Sequence, residues 1–273
     1  MVANTADDVE VYGVHVAPDP DLVAYWLADL IDERGYGIRG DTWEVMAALE
    51  AAGRETWFRL GDRDLAMCLL RTERLQAGER MTAAHAAVVQ ALGIEAGVLP
   101  MADEPVRTYV RSGERRVPLQ EFMIVERAAA PIDDVELAGI EAAQPTPEVL
   151  RAIESADAIV IGPSNPVISI GPILALHGMR EALAAARAPV VAVSPFVGGE
   201  VIKGPTDAFC RAAGIEPTAD GIVRAYGDVL DGVVADERVE GLPALVLDTL
   251  MHDAQSRRRV AEATLEFASA LAG

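Results

Sequence analysis

Lysine is nearly missing from this chain: Lys203 is the one lysine among 23 basic residues, the rest being arginine. Aromatic residues make up only 5%, so any core must be built from Ala, Val, Leu and Ile. That mixture suits helices covering a parallel sheet. The two cysteines, Cys68 and Cys210, have no metal-ligand spacing and offer no disulfide framework. No apolar run approaches the roughly 20 residues that a membrane helix needs. The first eight residues carry neither a basic region nor an apolar signal core, so a cytoplasmic protein without membrane partners is expected. Basic charge is scarce overall, with 43 acidic residues and a formal net charge of −20. Such a surface repels nucleic acid and anionic lipid, and an anionic substrate would need local cations or a metal.

What is present is a sizeable apolar fraction, 51% of 273 residues, enough for one large domain or a core with a substantial insertion. A strand end at residues 2–3 and an apolar piece at 11–16 come first. Helical periodicity then runs through 22–31, 42–52, 62–77 and 82–92, with Thr82 reading as an N-cap. Strand character returns at 106–111 and 117–125 around a Ser112-Gly113-Glu114 turn. After a helix at 145–155, strands at 158–161, 189–194, 229–234 and 244–247 alternate with helices at 179–187, 206–213, 222–226 and 257–271. The expected fold is α/β, a doubly wound, mainly parallel Rossmann-like sheet with a helical insertion. Residues 1–30 and 105–273 would form the core and 31–104 the insertion.

Three places could carry chemistry. The strand at 158–161 breaks into Gly162-Pro163-Ser164-Asn165-Pro166, a loop whose donors suit an oxyanion or phosphate, although an ordinary strand-to-helix turn fits the same spacing. Asp7, Asp8, Asp19 and Asp21 gather near a probable strand end. Hard oxygen ligands there suit Mg²⁺ beside phosphate, and solvated surface acids are the alternative. Adjacent Asp7 and Asp8 cannot point the same way in an extended segment, so at most one is a direct ligand. In Arg59-Leu60-Gly61-Asp62-Arg63-Asp64, Gly61 makes a turn, Asp62 can cap the next helix, and Arg59 or Arg63 could meet an anion. Asn4 and Thr5 could hydrogen-bond a nucleotide or ribose. Lys203, inside a glycine-rich loop, could place a point charge on phosphate. His15, His85, His177 and His252 are scattered and receive no role.

Taken in order, these runs resemble the 2-phospho-L-lactate transferase family. The matching pieces are Asn4-Thr5-Ala6-Asp7-Asp8, Pro18-Asp19-Pro20-Asp21, Gly40-Asp41-Thr42-Trp43 and Leu60-Gly61-Asp62-Arg63-Asp64. Leu99-Pro100-Met101, Pro105-Val106-Arg107-Thr108, Gly162-Pro163-Ser164-Asn165-Pro166, Val193-Ser194-Pro195, Lys203-Gly204-Pro205 and Asp248-Thr249-Leu250-Met251 complete the set. The resemblance implies an enzyme of coenzyme F-420 biosynthesis. A guanylyl-activated phospholactate, phosphoenolpyruvate or phosphoglycerate compound would donate to the deazaflavin Fo, with GMP leaving and Mg²⁺ required.

By the same resemblance Asp7 or Asp8 would hold the metal, and Asp19 and Asp21 would be catalytic. Asp21, Arg59, Asp62 and Arg63 would contact Fo, while Asn4, Thr5, Ser164, Asn165 and Lys203 would bind nucleotide. Trp43 would stack on the ring or pack within the insertion. A homodimer is the family's precedent. Two departures stand out: Pro20 and Leu22 alter the family's Pro-Asp-Leu-Asp-Thr run, and a glycine-rich strand-loop-helix unit of about 30 residues is expected before Met1 in relatives. A non-catalytic deazaflavin- or nucleotide-binding protein is the alternative reading.

Overall fold

Strands with no polar position belong where both faces are covered. Val190–Val193 and Gly232–Ala235 are such strands, buried throughout. In the computed structural model, which describes residues 1–198, 200–201 and 204–272, they form the centre of a four-stranded parallel sheet. In chain order the elements are β1 (Val2–Ala3), β2 (Val9–Val11), β3 (Val14–Val16), α1 (Pro18–Leu27), α2 (Glu44–Ala51), α3 (Asp62–Gln76), α4 (Met81–Ala91), β4 (Leu99–Pro100), β5 (Arg107–Ser112), β6 (Arg115–Pro118), α5 (Leu119–Ile124) and β7 (Asp134–Ala138). They continue with α6 (Pro147–Glu154), β8 (Ile159–Ile161), α7 (Ile170–Ala175), α8 (Met179–Ala184), β9 (Val190–Val193), β10 (Phe196–Val197), β11 (Glu200–Val201), α9 (Thr206–Ala212), α10 (Ala219–Tyr226), β12 (Gly232–Ala235), β13 (Ala244–Val246) and α11 (Ala254–Leu271). None of the described helices is long and apolar enough to cross a membrane.

The chain divides into two compact units. One comprises Met1–Val110, Glu114–Pro131 and Glu136–Val149, the other Arg111–Gly113, Ile132–Val135 and Leu150–Gly273. In the second unit the sheet order is β13-β12-β9-β8, parallel throughout. Helix α11 packs Val260 and Ala268 against Val191, Val193 and Val234. Gly232 permits this close approach, since a Cβ there would lie 2.7 Å from the Phe267 ring. Asp253 and Ser256 start α11 with reciprocal caps, Asp253 Oδ1 accepting the Ser256 N–H at 2.7 Å and Ser256 Oγ accepting the Asp253 N–H at 3.0 Å.

In the first unit β1 pairs in parallel with β4, and β2 and β3 form a hairpin. Its valines join Met46, Leu60 and Cys68 in one core. A further three-stranded sheet runs in the order β6-β5-β7.

The α/β class with a parallel sheet is as expected; several local expectations are corrected. Residues 117–125 are not one strand, because β6 stops at Pro118 and α5 follows, burying Leu119 and Phe122 at helical spacing. The strand expected at 229–234 begins later, at Gly232, since a 3₁₀ turn occupies Gly227–Val229. Thr82 lies inside α4 and does not cap it; the Asp103 carboxylate accepts both the Thr82 N–H (2.8 Å) and its hydroxyl (2.7 Å). Helix α1 starts at Pro18, where a proline in the first turn forfeits no helical hydrogen bond. β7 and α7 were not foreseen.

Candidate functional site

The β2–β3 hairpin supplies the first part of the site. A two-residue turn at Tyr12 (φ 54°) and Gly13 (φ 80°) sets the register that places Glu10 opposite His15. The valines alternate towards the core, so these two polar residues share the other face. His15 Nδ1 meets Glu10 Oε1 at 2.5 Å and Nε2 meets Asp8 Oδ2 at 2.8 Å. Burial alone would lower the imidazole's pKa; the hydrogen bond and charge of Asp8, then those of Glu10, outweigh it and raise it. Each ring nitrogen thus faces a carboxylate oxygen, and both would donate in the protonated ring.

Asp8 is 4% exposed. Burial pushes its carboxyl up against the opposing pull of His15, and its Oδ1 has no hydrogen-bond partner. Asp7 takes other partners. Asn4 Nδ2 donates to Asp7 Oδ1 (3.0 Å) and to Asp19 Oδ2 (3.1 Å), and Asn4 Oδ1 accepts the Ala6 N–H at 2.9 Å, which fixes the sense of the amide. Gln120 Nε2 donates to the Asp7 carbonyl at 3.2 Å. Burial, then Asp19 and Asp8, push Asp7 well above the usual carboxylate range. Burial lifts Asp19 to about 6, the Asn4 bond opposing and Asp8 adding.

Carboxylates that raise one another make a place where positive charge is favoured. Hard oxygen donors, one of them orphaned, fit a divalent cation chemically. Their ligand atoms are not all within 4.8 Å of one another, so a bound cation would have to draw Asp7 and Asp19 in towards the orphaned oxygen of Asp8. Among the described residues, Asp21, Asp64 and Cys68 are the group whose ligand atoms all lie within 4.8 Å of one another. There Arg71 already supplies the cation. Its Nη1 and Nη2 donate to the two oxygens of Asp21 at 2.7 Å each, and Nη2 also reaches the His15 carbonyl at 3.0 Å. Arg71 is fully buried.

A cavity of about 690 Å³ opens in the first unit. Its wall is acidic at Asp19, Asp21, Asp41 and Asp64 and aromatic at Tyr25, Tyr36, Trp43, Trp57 and Phe58. The Arg34 guanidinium lies over Tyr36 (5.0 Å) and Trp43 (5.3 Å), and Arg59 lies over Trp43 at 5.7 Å. Apolar rings with a few fixed charges suit a planar, polar-edged ligand. Tyr25 Oη donates to Asp64 Oδ1 at 2.8 Å, and burial with the charge of Asp21 holds Asp64 at about 6.

Two aspartates brace this wall by exchanging helix ends. Asp41 accepts the N–H groups of Arg63 (3.0 Å) and Asp64 (3.1 Å) in α3, while Asp62 accepts those of Glu44 and Val45 (3.0 Å each) in α2. Gly61 leaves room for the exchange, because a Cβ there would fall 2.2 Å from Asp41 Oδ2.

In the second unit, Asn165 Oδ1 accepts the N–H groups of Val167 (2.9 Å) and Ile168 (3.1 Å), and its Nδ2 faces Thr206 Oγ1 at 3.3 Å. Ser164 is exposed, its N–H bonded to the Gly162 carbonyl at 2.8 Å. Lys203 lies outside the described residues.

The family model for 2-phospho-L-lactate transferase CofD matches residues 1–265. The chain belongs to that family. A phosphoenolpyruvate transferase of Kitasatospora aureofaciens is 38% identical over 284 residues, covering 98% of this chain and 88% of the relative. A 2-phospho-L-lactate transferase of Methanosarcina mazei is 37% identical, covering 97% and 90%. That of Methanopyrus kandleri is also 37% identical, covering 100% and 91%. Among solved structures, protein BH3568 from Bacillus halodurans superposes with a TM-score of 0.61 at 17% identity, covering 97% of this chain and 90% of its own. That likeness speaks for the fold alone. As a member of the 2-phospho-L-lactate transferase family, the chain is an enzyme of the transferase class.

Within this family member the structure joins Asn4, Asp7 and Asp19 directly and Asp8 through charge. It places Asp21, Arg59 and Trp43 on the cavity wall. Asp62 is occupied in capping α2, not the helix it begins. Arg63 is held by its backbone N–H to Asp41. Thr5 is buried and its hydroxyl has no partner. From the sequence alone, His15 receives no role, Asp64 is named only within the Arg59–Asp64 run, and Arg71 is not marked. His15 was accessible from the Val-Glu-Val-Tyr-Gly-Val-His-Val alternation, which places a histidine across from a glutamate. Arg71 had no such signal, because a single arginine in an amphipathic helix reads as surface.

Proposed function

We propose that this transferase moves a phospholactyl, phosphoenolpyruvyl or phosphoglyceryl group from a guanylyl-activated donor to the ribityl hydroxyl of the deazaflavin Fo, a step of coenzyme F-420 biosynthesis. The reading rests on Asp19, which stands on the aromatic cavity's wall and is tied through Asn4 to Asp7. A planar ring lodged among Trp43, Tyr36 and Phe58 would bring its side-chain alcohol towards these carboxylates. The hydroxyl oxygen attacks the phosphorus that bears the acid, the bond to GMP breaks, and the proton passes to a carboxylate. Asp19, lifted to about 6, is poised to take that proton near neutral pH.

Asp21, locked by Arg71, gives a fixed negative neighbour to the alcohol. Arg59 contacts the ring from beside Trp43, and Asp62 and Arg63 shape the same edge. Asp7 or Asp8 would hold Mg²⁺, with Asp19 in support. When bound, the ion spreads the charge of the pyrophosphate and the leaving GMP. Asn4, Thr5, Ser164, Asn165 and Lys203 are assigned to nucleotide phosphate or ribose, and a cytoplasmic homodimer belongs to the same reading.

The test is turnover of Fo with each guanylyl-activated donor and Mg²⁺, scored by mass spectrometry of the Fo phosphodiester and by release of GMP. Product from one donor supports the reading. Fo binding by fluorescence without turnover on any of the three favours a non-catalytic binding protein instead.

A further inference from the structure

Three side chains run from solvent to the interior along the hairpin. Glu10 is 62% exposed in its side chain, His15 11% and Asp8 2%. The middle one is fixed by its main chain as well as its ring. The His15 N–H donates to Thr72 Oγ1 at 2.7 Å, and its carbonyl accepts from the buried Arg71. The imidazole thus has a set origin, and Glu10 holds it from behind. Of the two Asp8 oxygens, Oδ2 is committed to this ring and Oδ1 is buried without a partner.

We propose that His15 is a positioning residue for the cation of the Asp7, Asp8 and Asp19 cluster: it clamps Asp8 Oδ2, so that Oδ1 is the prearranged donor atom. This inference rests on the reading that a divalent cation is held there. A carboxylate anchored at neither oxygen would rotate about its last torsion, and each binding event would have to order it. Partners that orient metal ligands from behind are worth about 10- to 100-fold in metal affinity. Glu10 acts one step further back, on the imidazole and not on Asp8.

Binding of Mg²⁺ alone, by calorimetry on the full chain, and of Mn²⁺, by electron paramagnetic resonance, tests this without turnover. His15→Leu should weaken both by about 10- to 100-fold, and His15→Gln, which retains one donor towards Asp8, should recover a large part. Glu10→Ala, at an exposed position, should weaken binding several-fold with the thermal midpoint unchanged, and it decides the matter should His15→Leu fail to fold. A merely structural histidine would lower the thermal midpoint and leave metal affinity alone. If Asp8→Asn loses the metal while His15→Leu and Glu10→Ala bind like the parent, the positioning role is overturned and the cation reading stands. If Asp7→Asn, Asp8→Asn and Asp19→Asn all bind like the parent, the cation reading itself falls.

Discussion

Replacing Arg71 by methionine removes the positive member of a fully buried pair. Its two 2.7 Å contacts to Asp21 vanish, together with the donors to the His15 carbonyl. Asp21, 3% exposed, would lose its paired counter-charge beside Asp64 and Cys68. Two unit charges about 4 Å apart attract by roughly 4 kcal/mol at an effective dielectric of about 20. Breaking a buried pair from one side typically costs about 3–5 kcal/mol, a large share of the roughly 5–15 kcal/mol that holds a domain folded. The double variant Arg71→Met with Asp21→Leu removes both charges, so it should regain about 2–3 kcal/mol relative to the sum of the singles. Urea unfolding followed by tryptophan fluorescence suits the measurement, because Trp26, Trp43 and Trp57 all lie in the first unit. A loss below about 1 kcal/mol for Arg71→Met, or strictly additive singles, would refute the view that Arg71 anchors Asp21 on the cavity wall.

Other expectations follow from neighbouring contacts. His85 is fully buried with neither ring nitrogen bonded, and burial holds its pKa down at about 4 against an ordinary 6.5. Its protonation therefore costs the fold up to about 3 kcal/mol as pH falls from 6.5 towards 4; Asp19 and Asp64 titrate in the same window, so the check is the difference, the parent losing about that much more urea stability than His85→Leu. Gly61→Ala should drive Asp41 off the start of α3 and lower stability by about 1–2 kcal/mol, read as a drop in thermal midpoint; an unchanged midpoint would mean that Asp41 caps nothing of consequence. Asp103→Ala strips the Thr82 N–H and hydroxyl of their acceptor and should destabilise α4 by about 1 kcal/mol, measurable by circular dichroism.

The fold was legible where periodicity and composition agree. Residues 189–194 read as a strand because Val190 to Val193 are all apolar, and 62–77 read as a helix because apolar residues recur at helical spacing beneath a charged face. The reading failed where a short apolar segment can take either form: residues 117–125 contain Val117, Leu119 and Phe122, whose spacing serves a strand start and a helix face equally. Local capping rules also misled at Thr82 and Asp62, because the true partners, Asp103 and the start of α2, lie about 20 residues away in sequence. Within the site, Asp7 and Asp19 could be grouped as acids near one strand end, while Asn4 read as a nucleotide contact; the structure adds that the Asn4 amide links the two acids. The Arg71–Asp21 pair could not be foreseen, since a buried arginine in a helix differs from a surface one only through its tertiary surroundings.

The exchange of helix ends between Asp41 and Asp62 makes the openings of α2 and α3 a single event. Releasing either carboxylate strips the amides of the opposite helix, so neither end can fray alone at low free energy. Amide protons at both starts should then exchange with deuterium at one common rate, and the wall between Trp43 and Asp64 should behave as one cooperative panel that opens whole or stays shut.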